Sequence, residues 1–381
     1  EIGSGLVGSE MCIRDRPNTN PQTTTLDALN AKFDLLAEKC SVNYSCYFGA
    51  TNNNYTEFDK LDKNRVCGIK LFMGSSTGNM LVDKMNSLLN IFNGTDLLIA
   101  AHCENHETIK KNTEKYVKEY IEKYPHQYYH VHHETLPMGY HAKIRSIAAC
   151  YESSELAVRL ARIADARLHI LHISTARELS LFDNDIPLEE KRITAEACVS
   201  HLLFDSSDYP ELGARIKCNP SIKTKTNRDA LRQAVNSNLI DVIATDHAPH
   251  LLKEKEGGPL KAMSGMPMIQ FSLVSMLELV NEGIFTIEKV VEKMCHAPAQ
   301  IYNIHNRGFI RPGYQADLVL VRPDALWTVS ADQILSKCGW SPLEGRTFEW
   351  KVEKTFANGH LLYTDGQVDE TYRGQEIYFE R

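Results

Sequence analysis

Five short, apolar, β-branched runs recur between helical stretches over residues 17 to 305, and each stops at, or leads directly into, a residue able to bind a metal or touch a substrate. Strands are expected over 66–72, 96–101, 167–173, 193–198 and 239–245. Short strands alternating with helices point to βαβ units and a parallel sheet. Such folds keep their chemistry at the carboxyl ends of the strands. The texture changes after Arg307. Residues 308–321 read as a turn feeding a strand, and 355–363 as a hairpin through Asn358-Gly359, a good two-residue turn. The expected organisation is an α/β unit over 17–305 and a small β-rich domain over 306–381.

The last of the five runs is the most specific. Asp241-Val242-Ile243-Ala244 leads into Thr245-Asp246-His247-Ala248-Pro249-His250, with Lys255 beyond. A buried strand ending this way sets a carboxylate and two imidazoles at one mouth of a sheet. A helix-capping Asp with surface histidines is the plainer alternative, and it fits a lone Asp-His better than the whole pattern.

The other strand ends add to it. One lysine, Lys70, lies inside the apolar stretch Val66-Cys67-Gly68-Ile69-Lys70-Leu71-Phe72. A bare ammonium there is costly. It snorkels to the rim, or it reacts with carbon dioxide to give a carbamate anion that can bridge two metal ions. Residues 97–102 end in His102, with Glu104 just beyond, and 168–172 end in His172, where Ser174-Thr175 can cap a helix starting near Ala176. His169 alternates with apolar neighbours and is expected to be structural. Residues 193–198 lead to Ser200-His201. Imidazole and carboxylate donors suit zinc, and catalytic zinc keeps one position open. Two ions about 3.5–4 Å apart could hold a bridging hydroxide as nucleophile.

Bulk properties exclude other classes. With 43% hydrophobic and 24% charged residues the composition is that of a globular protein. A net charge of −7 argues against a nucleic-acid surface. No apolar run is long enough for a membrane span. The ten cysteines form no C-x-x-C pair, and Cys67, Cys103, Cys150, Cys198 and Cys218 sit in apolar contexts. Reduced thiols in a cytoplasmic protein are expected. Residues 126–141 hold five histidines. Their irregular spacing favours a surface loop over a metal site, with a lid as the functional alternative.

The pattern around Asp246 resembles the signature of dihydroorotases in the amidohydrolase superfamily: a small residue, Thr or Ser, Asp, any residue, Ala-Pro-His, four residues, Lys. Pro17-Asn18-Thr19-Asn20-Pro21, Gly308–Val321 and Ser341-Pro342-Leu343-Glu344-Gly345 extend the resemblance to the C-terminus. The resemblance implies a (β/α)8 TIM-type barrel and a metal-dependent cyclic amidase of pyrimidine biosynthesis. It implies that Lys70 is a bridging, carbamylated lysine, that His102 and His172 bind the second metal, and that Asp246 is both a first-metal ligand and the catalytic base. Asn18, Asn219 and His250 become substrate contacts. One or two Zn2+ per subunit are implied. The substrate is a small molecule, N-carbamoyl-L-aspartate or L-dihydroorotate, with neither nucleic acid nor membrane as partner and with a homodimer left open.

Two departures qualify the resemblance. The family's first barrel strand carries Asp-x-His-x-His-x-Arg, and no H-x-H-x-R occurs before residue 17. Arg16 stands where the family commonly has Met. Residues 1–16 (EIGSGLVGSEMCIRDR) open with Glu1, show no periodic pattern and do not form a signal peptide. They are expected to be foreign to the fold, from adaptor read-through or a gene-model error, with a genuine disordered N-terminus as the alternative. On this reading the first barrel strand is missing and the chain as written is inactive. Two other functional readings stay open: a cyclic amidase of the allantoinase or dihydropyrimidinase type, and a non-catalytic barrel homologue.

Overall fold

The computed structural model describes residues 12–74, 80–125, 136–364 and 366–381, with the backbone alone for 12–14. The expected loop or lid over 126–141 therefore lies outside the described residues, save for 136–141.

Seven parallel strands pair in the order of the chain. They are β1 Cys12–Asp15, β2 Asn43–Gly49, β3 Gly68–Phe72, β4 Ile99–His102, β5 Leu168–Ile170, β6 Ile193–Cys198 and β7 Val242–Ala244. Helices join them, including Leu26–Lys39, His106–Lys123, Ile147–Ala164 and Lys225–Asn236. A sequential, all-parallel sheet with intervening helices is the wall of a TIM-type barrel. Each long helix begins where its sequence offers a cap. Thr25 accepts from Ala28 N at 3.2 Å and Ser146 from Ala149 N at 3.3 Å.

The expected strands all form; 193–198 keeps its bounds, while 66–72 becomes Gly68–Phe72, 167–173 becomes Leu168–Ile170 and 239–245 becomes Val242–Ala244. Strand 96–101 shifts, so that His102 is its last residue. Two strands of this parallel sheet were not expected. β2 is buried along its whole length, yet it reads Asn-Tyr-Ser-Cys-Tyr-Phe-Gly. Its polar groups find partners inside: Ser45 Oγ donates to Arg65 O at 2.9 Å, and Tyr47 and Tyr302 hydroxyls meet at 2.5 Å. Such a strand carries no apolar run to read. β1 corrects the expectation that residues 1–16 hold no strand. Cys12–Asp15 pairs with β2 in the register Cys12↔Asn43 to Asp15↔Cys46. Backbone pairing decides there, because the edge of β2 presents donors and acceptors that must be met.

Beyond residue 307 the structure is antiparallel. β8 Leu318–Arg322 pairs with β11 Lys351–Ala357, which pairs with β12 His360–Thr364, and β13 Gln367–Val368 closes the sheet. β9 Trp327–Thr328 and β10 Thr347–Phe348 form a separate two-stranded ribbon. The hairpin turns at Asn358 (φ 52°) and Gly359 (φ 81°), both left-handed, as an Asn-Gly turn requires. The last residues return to the barrel. Tyr44 N donates to Gln375 O at 3.0 Å and Ile377 N to Tyr44 O at 2.9 Å. At Gly374 the chains come so close that a Cβ would lie 1.9 Å from Val42 O.

Candidate active site

Lys70, His102, His172 and Asp246 come from β3, the end of β4, the turn after β5 and the turn after β7. Parallel register carries them to one rim: Phe72 pairs with His102, and Ala101 with Ile170, two residues before His172. His172 (φ 41°) and Asp246 (φ 42°) both leave their strands in the left-handed region. That conformation is unfavourable for a histidine and persists only where the surroundings impose it. It turns each side chain sharply at the strand end.

His102 Nδ1 and His172 Nε2 face each other at 3.0 Å. Both rings are buried. Burial lowers the pKa of His102 against the pull of Glu104, and burial with His102 beside it holds His172 well below the usual histidine range. Both are therefore neutral imidazoles, the form that binds metals. His102 Nε2 lies 3.2 Å from Glu104 Oε2. Glu104 is fully buried and paired with Arg145. Burial works against its charge, but the Arg145 guanidinium overrides it and holds the carboxyl down at about 2.

Lys70 Nζ is buried without a hydrogen-bond partner among the described residues and lies 4.1 Å from the centroid of the Phe72 ring. Burial first, then the Arg16 guanidinium, push its pKa down to about 7, while Asp246 pulls the other way. Arg16 itself follows β1, and its Nη1 donates to Asp246 Oδ1 at 3.0 Å. Lys32 holds the Arg16 segment from the helix side, donating to Arg16 O at 2.5 Å and pairing with Asp15 at 2.8 Å.

The remaining expected residues ring the same mouth. Asn18 is partly buried in the bend two residues after Arg16. Asn219 precedes a cis proline, Pro220, and its Oδ1 is buried without a partner. His250 Nε2 faces Ser264 O at 3.2 Å. A carbonyl only accepts, so Nε2 carries the proton. The neutral ring then presents Nδ1 as an acceptor, and only the protonated ring has a second N–H to give. Burial, then Lys255, lower its pKa. His169 is taken up in the sheet, with Nδ1 2.8 Å from Thr194 Oγ1 and Nε2 3.1 Å from Glu196 Oε2. His201 Nε2 donates to Pro220 O at 3.0 Å, and burial drives its pKa down to about 4. Its Nδ1 is another buried acceptor without a partner.

These atoms allow a test of what the mouth can hold. Two ligands on one zinc, with Zn–N of about 2.0–2.1 Å and tetrahedral angles, stand ~3.3–3.4 Å apart. The His102–His172 pair fits one such ion after opening by a few tenths of an ångström. Lys70, partnerless, would become a third ligand as a carbamate. Asp246 fits a second ion poorly, because its carboxylate is engaged by Arg16. Among the described residues no three His, Cys, Asp or Glu side chains converge on one point.

The Glu104–Arg145 pair was not expected. Its partners are 41 residues apart and share no local pattern.

The amidohydrolase family model matches residues 71–362. This chain belongs to the amidohydrolase family. Other amidohydrolases cover nearly all of it. It is 30% identical to a dihydroorotase of Pyrococcus furiosus over 374 residues, 98% of this chain and 78% of that protein. It is 26% identical to an allantoinase of Bacillus velezensis, over 96% of this chain and 79% of that one. The L-hydantoinase (dihydropyrimidinase) of Arthrobacter aurescens superposes with a TM-score of 0.88 at 26% identity, covering 97% of this amidohydrolase and 81% of the hydantoinase. An amidohydrolase barrel accounts for the parallel sheet.

Proposed function

We propose that this amidohydrolase is of the dihydroorotase type, interconverting N-carbamoyl-L-aspartate with L-dihydroorotate and water. The observation that carries the reading is the placement of Asp246. It stands in the turn after β7 inside the Thr-Asp-His-Ala-Pro-His signature and shares a mouth with Lys70, His102 and His172. Of the two curated relatives compared above, the one at 30% identity is a dihydroorotase.

His102, His172 and a carbamylated Lys70 would hold a zinc ion. When bound, such an ion polarises a carbonyl and lowers the pKa of water. Carbamylation joins the neutral lysine nitrogen to carbon dioxide and releases a proton, and the buried, partnerless Nζ favours that neutral amine. Asp246 takes the proton of the attacking water in the hydrolytic direction and returns it to the ring nitrogen that leaves. Asn219 Oδ1 accepts from a substrate N–H. Asn18 and His250 orient the substrate's carboxylate end, His250 as a donor only while its Nδ1 is protonated. Such positioning matters for a cyclisation, whose rate depends on holding two ends together.

Arg16 counts against turnover in the sequence as written, because its guanidinium occupies the carboxylate that must accept the proton. The allantoinase relative and the hydantoinase fold support a second reading, an uncharged cyclic amide as substrate.

The test compares the chain with a version preceded by a family-like Asp-x-His-x-His-x-Arg segment, both zinc-loaded, on dihydroorotate, allantoin and dihydrouracil. The expected result is that the extended version turns over dihydroorotate best and the shorter chain barely turns over any of them. A better rate on either uncharged ring would overturn the substrate assignment and leave cyclic-amide hydrolysis standing.

A further inference from the structure

Lys255 is buried and touches neither Asp246 nor the histidine pair, yet all three of its N–H groups are used. Nζ donates to Lys217 O at 3.2 Å, Met263 O at 2.7 Å and Gly265 O at 2.6 Å. Among the described residues no carboxylate pairs with it. The charge is met by three carbonyl dipoles instead. A compact ammonium with three rotatable donors suits such a cradle, where a planar guanidinium does not.

The carbonyls belong to two loops that both carry proposed substrate contacts. Lys217 stands two residues before Asn219, and Gly265 lies against the loop of His250. Gly265 N donates back to Lys217 O at 2.8 Å, and Ala248 N donates to Met266 O at 3.1 Å. The approach at Gly265 (φ 135°) is so close that a Cβ would meet Ala248 O at 2.5 Å and His250 Cδ2 at 3.2 Å. Trp340 closes the far side, its Nε1 donating to His250 O at 2.7 Å while Lys255 Nζ stands 5.8 Å from its ring centroid.

We propose that Lys255 is a positioning residue: its ammonium clasps the loop of Asn219 to the loop of His250 and so sets the spacing of the two groups that read the substrate. The inference rests on the substrate roles given above to Asn219 and His250. The mechanism is one of geometry. Without the ammonium, Met263 O and Gly265 O lose that donor and Lys217 O keeps only Gly265 N, and each loss favours an opening toward water. The two loops then move apart independently, while Lys70, His102 and His172, held on other strand ends, stay in place.

The experiment uses the zinc-loaded full chain, Lys255→Met and, as a control, Lys293→Met, which empties a buried lysine paired with Glu292 away from this mouth. Amide hydrogen exchange is measured peptide by peptide, and dihydroorotate and dihydrouracil binding by calorimetry. The clasp predicts faster exchange in Lys255→Met confined to peptides spanning 217–220 and 247–266, unchanged zinc content, and dihydroorotate binding weakened about tenfold or more. Lys293→Met lowers global stability without this local pattern. Exchange in those two loops indistinguishable from the parent, or raised equally everywhere, would overturn the proposal, as would dihydroorotate affinity within twofold of the parent. A parent that binds neither ring leaves the substrate reading to the comparison with the extended version, and the exchange pattern alone then decides the clasp.

Discussion

Arg16 Nη1 stands 3.0 Å from Asp246 Oδ1, joining the residue after the first strand of the sheet to the second residue after its last. Both side chains are partly exposed, at 34% and 19%. The pair places a permanent cation on the carboxylate proposed above as the catalytic base. It also raises the local positive potential, which disfavours both a protonated Lys70 and a divalent ion.

Removing that cation should favour metal binding. Arg16→Met restores the residue common in the family and leaves Asp246 unpaired. A guanidinium at this mouth opposes a divalent ion there by Coulomb repulsion. Zinc affinity, read by competition with a chelator, is expected to rise at least about tenfold. Equal affinities would show that the guanidinium does not compete with the ion.

Asp246→Asn keeps shape and removes the negative charge and the base. In the version bearing the family-like N-terminal segment, turnover should fall below about a hundredth of normal, since general base catalysis contributes roughly 10²–10⁴-fold. Circular dichroism should be unchanged. A variant retaining more activity than that would remove Asp246 from the role of base.

Lys70 makes a prediction about pH in metal-free, carbonate-free buffer. Burial lowers its folded pKa to about 7 from 10.5. Between those values the unfolded chain binds a proton that the folded chain does not, so stability rises with pH across this window. Below about 7 the full penalty of the buried ammonium is present. Lys70→Met should therefore flatten the slope by about 1.4 kcal/mol per pH unit. It should stabilise the protein at pH 6 by roughly 1–4 kcal/mol. Urea unfolding at pH 6, 7, 8.5 and 9.5 measures both, and an unaltered slope would contradict the burial argument.

Gly374→Ala tests the return of the C-terminal segment to the barrel. A Cβ there meets Val42 O at 1.9 Å, backbone against backbone, so one chain must move. The expected loss is about 1–3 kcal/mol, with the segment after residue 374 becoming open to limited proteolysis. A resistant, equally stable variant would show that the two backbones can separate at little cost.

Much of this protein was legible locally. The strand ends at Lys70, His102, His172 and Asp246 could be read because a fully buried parallel strand is an apolar run, and a polar residue at its end stands out. The Asn358-Gly359 hairpin could be read because few dipeptides accept two left-handed residues. His169 read as structural from its apolar neighbours, and Thr194 and Glu196 take up its ring in the structure.

The rest depended on residues far apart in the chain. β2 hides its strand character because Ser45 and Tyr47 find polar partners from elsewhere. Cys12–Asp15 becomes a strand through the open edge of β2 and not through its side chains. The Glu104–Arg145 pair, the Lys255 clasp and the Arg16–Asp246 contact each join segments with no common periodicity. Sequence alone determined the apolar runs that become β3 to β7 and the Asn358-Gly359 turn, since propensity and burial patterning act over a few neighbours. Only the tertiary structure decided which charges meet at the mouth, because electrostatic pairing depends on distance in space, and parallel strands bring together residues as distant as 16 and 246.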